Sequence, residues 1–176
     1  MFKLVKKIIA TPNNIVSLNP EDYGQAEITE VGRKIEERVK RLFRGSLAVR
    51  QVDAGSDNAA EQELVALSNP FYDVERFGIH FVASPRHADM LIVTGPVARN
   101  MAEAVKRAYA ATPDPKIVVA LGDDAIDGGI YRGSYAGLDA VKNVIPVDYE
   151  IPGNPPSPKT ILCHLLKILD RASAAH

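Results

Sequence analysis

Residues 90–95 read Met90-Leu91-Ile92-Val93-Thr94-Gly95, and residues 116–122 read Lys116-Ile117-Val118-Val119-Ala120-Leu121-Gly122. Each is a nearly unbroken apolar run that ends at a glycine, the pattern of a strand covered on both faces. Between them Ala98 to Ala111 has helical composition and spacing, and Pro113-Asp114-Pro115 closes it. Strand, helix and strand in that order form the unit of a parallel sheet.

The same alternation extends in both directions. Upstream, Leu47 to Asp53 reads as a strand stopped at Ala54-Gly55-Ser56, Asn58 to Leu67 as a helix ended by Asn69-Pro70, and Gly78 to Ala83 as a strand. Downstream lie a glycine-rich loop from Gly122 through Gly128, Gly129, Gly133 and Gly137, a last strand at Val144 to Val147, and a proline-rich loop from Ile151 to Pro158. A closing helix follows from Lys159 to Ala172. The expected fold is α/β and flavodoxin-like, a mainly parallel sheet with helices on both faces. In such sheets the loops beyond the carboxyl ends of the strands build the site. Here they are 55–60, 95–97, 122–129 and 152–156, and they should converge.

Ahead of this domain, assigned to residues 45–176, residues 1–44 form an N-terminal helical extension. Val31, Ile35, Val39, Leu42 and Phe43 recur at three- and four-residue spacing among charges, which predicts a helix from Ile28 to Phe43. Residues 1–10 are basic and amphipathic, with Leu4, Val5, Ile8 and Ile9 on one stripe and Lys3, Lys6 and Lys7 between. A helix this short gains order either from a membrane surface or partner groove, or by packing on its own domain.

The 176 residues suffice for about one domain, and a hydrophobic share of 46% with 24% charged residues allows a sizeable core. Lysine and arginine number 21 against 22 aspartate and glutamate, so nothing draws this chain to nucleic acid. No apolar run approaches the roughly 20 residues that span a bilayer, and no signal peptide is expected. Cys163, the one cysteine, can form neither an internal disulfide nor a cysteine metal site. Its apolar neighbours predict a small buried hydrophobe.

Taken alone, the residues offer candidate chemistries but no reaction. The glycine loop lacks the lysine and spacing of a phosphate-binding P-loop and reads as a tight structural loop. The run Ser84-Pro85-Arg86-His87-Ala88-Asp89 has groups suited to proton transfer, or is simply a polar turn before a strand. The convergent loops bring Asp53, Asp57, Asp123, Asp124 and Asp127, which can hold a hard cation through oxygens or stay hydrated.

Several segments together resemble one family: the small subunit of energy-converting, membrane-bound nickel-iron hydrogenases, similar also to the 20 kDa subunit of NADH:ubiquinone oxidoreductase. The resemblance is carried by Phe43-Arg44-Gly45-Ser46-Leu47-Ala48-Val49-Arg50, Asp53-Ala54-Gly55-Ser56, Tyr72-Asp73-Val74-Glu75-Arg76-Phe77-Gly78, Ser84 to Asp89, Val93-Thr94-Gly95-Pro96-Val97, Pro113-Asp114-Pro115-Lys116, Asp127-Gly128-Gly129, Ile145-Pro146-Val147-Asp148, and Ile151-Pro152-Gly153 with Pro155-Pro156. They occur in the family's order across about residues 43 to 170.

In that family the first loop reads Gly-Ser-Cys-Asn-Gly-Cys, the third Gly-Asp-Cys and the last Ile-Pro-Gly-Cys-Pro-Pro, and the four thiolates hold one 4Fe-4S cluster. The matching positions here are Asp57, Ala60, Asp124 and Asn154, so every cluster cysteine is replaced and no cofactor or metal is expected. The resemblance also implies a set of loop and interface residues: Gly55, Glu63, Arg76, Arg86, His87, Gly128, Gly129 and Pro155. Glu63 matches a family glutamate near the first cysteine pair, or is a helix-surface charge.

The implied partners are a hydrogenase- or complex I-like large subunit, membrane ion-translocating subunits contacted through Lys3, Lys6 and Lys7, and a ferredoxin-like subunit. The expected role is a cluster-less structural and coupling subunit of a membrane-associated assembly, peripheral on the cytoplasmic side and linked to ion translocation. Two alternatives stand beside it: an oxidoreductase subunit whose clusters lie on other chains, and a protein that binds a cation in its acidic loops.

Overall fold

The structure is a computed structural model and describes residues 25–43 and 45–174. Five strands form one sheet: β1 (Leu47–Asp53), β2 (Ile79–Phe81), β3 (Met90–Thr94), β4 (Ile117–Leu121) and β5 (Tyr149–Ile151). Their order is β2-β1-β3-β4-β5 and every pairing is parallel, the flavodoxin-like arrangement. The helices are α1 (Gln25–Phe43), α2 (Ala59–Ala66), α3 (Ala102–Ala111), the short α4 (Asp123–Asp127) and α5 (Pro158–Ala174).

The two-residue period of the strands divides the core. Met90, Ile92, Val119 and Leu121 point into a layer shared with Ile35 and Val39 of α1, Leu64 of α2 and Ile161 and Leu165 of α5. Leu91, Val93, Val118 and Ala120 point the other way, onto Val105 of α3 and Val141. Two ion pairs show that α1 and α5 run parallel, Glu27–Lys159 and Arg38–Asp170, each at 2.6 Å and each joining residues 132 apart in sequence. The start of α1 therefore sits beside the start of α5, at the end of the sheet where the strands finish.

Four expectations are corrected. The last strand is Tyr149–Ile151 rather than Val144 to Val147. Pro146 has no N–H to donate, and the amides of Val144 and Ile145 turn back onto the Val141 carbonyl, so pairing with β4 begins only at Asp148. Residues 123–127 are helical rather than glycine loop. Residues 98–101 precede α3, because Ala98 is engaged in a bridge with Gly137. Cys163 is half-buried, not a core residue.

Two aspartates start strands in the same way. The Asp89 amide donates to the Ala48 carbonyl at 2.8 Å while its Oδ2 accepts from the Ala48 amide at 2.9 Å. Asp148 repeats this on Val118, donating at 2.9 Å and accepting at 2.8 Å. Asp89 is therefore committed to the sheet, and Ser84 to Asp89 is a structural turn in which the Ser84 hydroxyl accepts from the Arg86 amide. Asp89→Ala leaves the Ala48 amide without its partner and is expected to cost about 1–3 kcal/mol. Urea unfolding checks this, and an unchanged midpoint would show that water replaces the carboxylate freely.

Candidate functional site

Gly95, between β3 and the turn into α3, brings two loops together. Its φ of +74° suits glycine, and a Cβ there would lie 2.4 Å from the Ser56 Cα, so the first loop rests directly on it. Asp53 Oδ1 accepts from the amides of Gly55 and Ser56 at 2.7 and 3.0 Å, and Asp57 Oδ1 accepts from Ala59 at 2.9 Å. The third and fourth loops are tied reciprocally. The Asp123 amide donates to the Gly153 carbonyl and the Gly153 amide donates to Asp123 Oδ1, each at 2.9 Å.

The result is one small cavity at the carboxyl ends of the strands. Asp57, Ala60, Asp124 and Asn154 line it, together with Ser56, Gly95, Gly122, Gly153 and Pro155. Its volume is about 10 Å³, the room of about one water. The four positions singled out in the sequence are thus brought to one point by four different loops and helix starts.

Two buried carboxylates flank this point. Asp124 is only 8% exposed and its Oδ1 has no hydrogen-bond partner. That oxygen packs on Gly129, where a Cβ would approach it to 1.8 Å, which explains a glycine with φ +48°. Burial raises the affinity of Asp124 for its proton above that of an ordinary aspartate, and the charges of Asp57 and Asp123 add to the effect.

Glu61, which sequence reasoning did not single out, is 6% exposed. Its Oε1 accepts from the Ser56 hydroxyl at 2.6 Å and from the Thr94 hydroxyl, and its Oε2 is buried without a partner. A signal was available: Glu61 and Leu64 share one helix face at i, i+3 spacing, and Thr94 is the one polar residue in an apolar strand.

The remaining predicted residues separate into two groups. Pro155 lines the cavity, Gly129 packs on Asp124 beside it, Gly55 packs on Ala98 and Gly128 on Arg132 and Asp139, and Glu63 is half-buried on α2. Arg76, over the Phe77 ring at 4.5 Å, lies just before β2, and Arg86 and His87 lie just before β3. These three residues sit at the opposite edge of the sheet. There Arg86 and His87 border a groove of about 630 Å³ with Leu42, Phe43, Pro113 and Ala172. Lys3, Lys6 and Lys7 lie outside the described residues.

Among the described residues no three His, Cys, Asp or Glu side chains are grouped to hold a metal ion, and no helix is long and apolar enough to cross a membrane. Asp53, Asp57, Asp123 and Asp127 accept from backbone amides, which is turn chemistry.

Residues 58–168 match the family described as NADH ubiquinone oxidoreductase, 20 Kd subunit. The chain is 42% identical over 142 residues to a probable membrane-bound hydrogenase subunit of Pyrococcus furiosus, covering 79% of this chain and 85% of that one. It is 42% identical over 124 residues to formate hydrogenlyase subunit 7 of Escherichia coli, covering 70% of this chain and 48%, about half, of that longer protein. Among solved structures it resembles a chain of the membrane-bound sulfane sulfur reductase, an archaeal respiratory membrane complex. That match has a TM-score of 0.64 and 32% identity, and it covers 77% of this chain and 72% of that one.

The raised proton affinity of Asp124 gives a pH test. The folded state binds it more tightly than the unfolded chain, so stability is present below the ordinary carboxyl range and is lost as pH rises through the raised value. Asp124→Asn, neutral at every pH, is expected to raise the urea midpoint at neutral pH, with the gain shrinking below about pH 4. A midpoint lower than wild type at neutral pH would contradict it.

Proposed function

We propose that this chain, which belongs to the NADH ubiquinone oxidoreductase 20 Kd subunit family, is a cluster-less structural and coupling subunit of a membrane-associated, complex I-like or hydrogenase-like assembly. The observation that carries this reading is the convergence of Asp57, Ala60, Asp124 and Asn154 on a cavity with room for about one water. Iron-sulfur clusters are held by thiolates, soft anionic donors. Two carboxylates, a methyl group and an amide do not fit one, and Cys163 sits on α5, outside the cavity lining.

What remains around the vacated position is a cradle, shaped by glycines and aspartate-to-amide hydrogen bonds. An interface built on the loop face survives the loss of the cluster, because shape and polar groups, not iron, make the contact. In this reading the loop face receives a hydrogenase- or complex I-like large subunit. Membrane ion-translocating subunits, and a ferredoxin-like subunit, complete the assembly, which lies peripherally on the cytoplasmic side. The names of the relatives, subunits of membrane-bound hydrogenase and formate hydrogenlyase, support a place in such a complex. The redox alternative, with clusters confined to other chains, gains no specific support from the geometry. The cation-binding alternative is weakened because Asp53, Asp57, Asp123 and Asp127 each already accept from a loop amide.

Anaerobic purification of the native complex, with iron and acid-labile sulfide measured on the isolated chain, is expected to find neither in stoichiometric amount. A visible cluster absorbance on intact material would restore the redox reading. Charge reversal of Lys3, Lys6 and Lys7 together is expected to weaken association with the membrane fraction while the fold persists. Unchanged association would remove these lysines from the contact.

A further inference from the structure

β5 closes one side of the sheet: among the described residues it pairs with β4 and with no other strand. In that register Val119 faces Tyr149 and Leu121 faces Ile151, and the Ile151 carbonyl accepts from the Gly122 amide at 2.8 Å. Tyr149 and Ile151 therefore turn their backbone groups toward β4, and Glu150 between them turns its N–H and C=O outward. An outward edge of this kind is a template for a further strand.

A groove of about 480 Å³ runs beside that edge, between β5 and α5. Tyr149 and Ile168 line it, and α5 adds His164, Lys167 and Arg171, which share one helical face at three- and four-residue spacing. The charges around it do not balance. Asp148 Oδ2 is held by the Val118 amide at 2.8 Å, and Asp170 is taken by Arg38 on the far side of α5 at 2.6 Å. Tyr149 and Ile151 pack in the layer that holds α5, so the Glu150 side chain points to the opposite face of the sheet, where it lies 3.9 Å from Lys142 Nζ. His164 Nδ1 is 2.9 Å from the Thr160 carbonyl, which can only accept, so the ring donates there. Lys167 and Arg171 are exposed and, among the described residues, have no ion-pair partner.

Charge selects the occupant. A second copy meeting this edge around a two-fold axis would set Glu150 against Glu150 and the two cations against themselves, like charges at short range. The basic segment with Lys3, Lys6 and Lys7 carries the wrong sign. An extended segment with carboxylates on the side that faces α5 meets both demands: its backbone pairs with Glu150 and its acids meet Lys167 and Arg171. Pro146 and Pro152 bound β5, so few backbone bonds are on offer and the cations must supply the rest.

We propose that the free edge of β5 takes up an extended acidic segment of a partner protein as a sixth strand, with Lys167 and Arg171 selecting its charge. The groove shares no lining residue with the small cavity, so this site goes beyond the function proposed above and stands or falls independently of it.

The probe is a blocked synthetic peptide, acetyl-Thr-Glu-Val-Glu-Val-Glu-Thr-amide, titrated into the full chain while the chemical shift and hydrogen exchange of the Glu150 amide are followed by NMR. Two control peptides carry lysine in place of every glutamate, or proline in place of both valines, which breaks extended pairing. At saturating acidic peptide the Glu150 amide is expected to exchange at least about tenfold more slowly than in the free chain. Both control peptides, and the acidic peptide with the double substitution Lys167→Glu and Arg171→Glu, are expected to bind at least about tenfold more weakly.

Unchanged Glu150 exchange, or equal binding of the proline peptide, overturns strand addition, since any attraction would then be to the charges alone. Equal binding by the charge-reversed variant overturns the role of the two cations. Slow Glu150 exchange in the free chain gives the edge to another segment of this chain or, where it depends on protein concentration, to a second copy, and overturns the proposal as well. The exchange is read on the wild-type chain, so the test does not depend on the variant folding.

Discussion

Met90–Thr94 and Ile117–Leu121 are buried on both faces, and that constraint governs everything else in the molecule. A strand with apolar side chains above and below needs a helical layer on each side, so the connections must cross over rather than turn back. Parallel strands then all finish at one edge, and every loop that leaves a strand end is delivered to the same place. The cavity exists because the sheet has nowhere else to put those loops.

The loops are tied to one another by hydrogen bonds: Asp123 and Gly153 join the third loop to the fourth, and Glu61 gathers Ser56 from the first loop and Thr94 from β3. Each contributes about 0.5–1.5 kcal/mol net, and the sheet below already fixes the loop ends within reach. The cradle therefore needs only local fastening. Its unfavourable element is Asp124, whose proton affinity is raised by burial of its carboxyl and by the charges of Asp57 and Asp123.

Much of this was legible in the sequence because it depends on period and on special backbone residues. The apolar runs gave the strands, and the glycine and proline positions gave the loops and their convergence. The last strand was misplaced because Val144 to Val147 is apolar enough for a strand, whereas strand pairing is decided by amide donors, which Pro146 lacks. The resemblance sets Arg76, Arg86 and His87 among the loop and interface residues together with Gly55 and Pro155. Spatially those first three precede strands rather than follow them, and in a parallel sheet that one difference places them at the other end. Glu61 escaped because a buried carboxylate is recognised by the hydroxyls around it, and Ser56 and Thr94 come from separate elements, the first loop and β3.

The two ends of the sheet thus carry different chemistry. At the carboxyl ends lie the exposed Asp53, Asp57 and Asp127, with Arg132 among exposed apolar side chains; at the amino ends Arg86 and His87 border a larger groove. The starts of α1 and α5, pinned by Glu27 and Lys159, lie at the end that holds the small cavity, so both helices run from the carboxyl ends of the strands toward the amino ends and share one layer over the sheet.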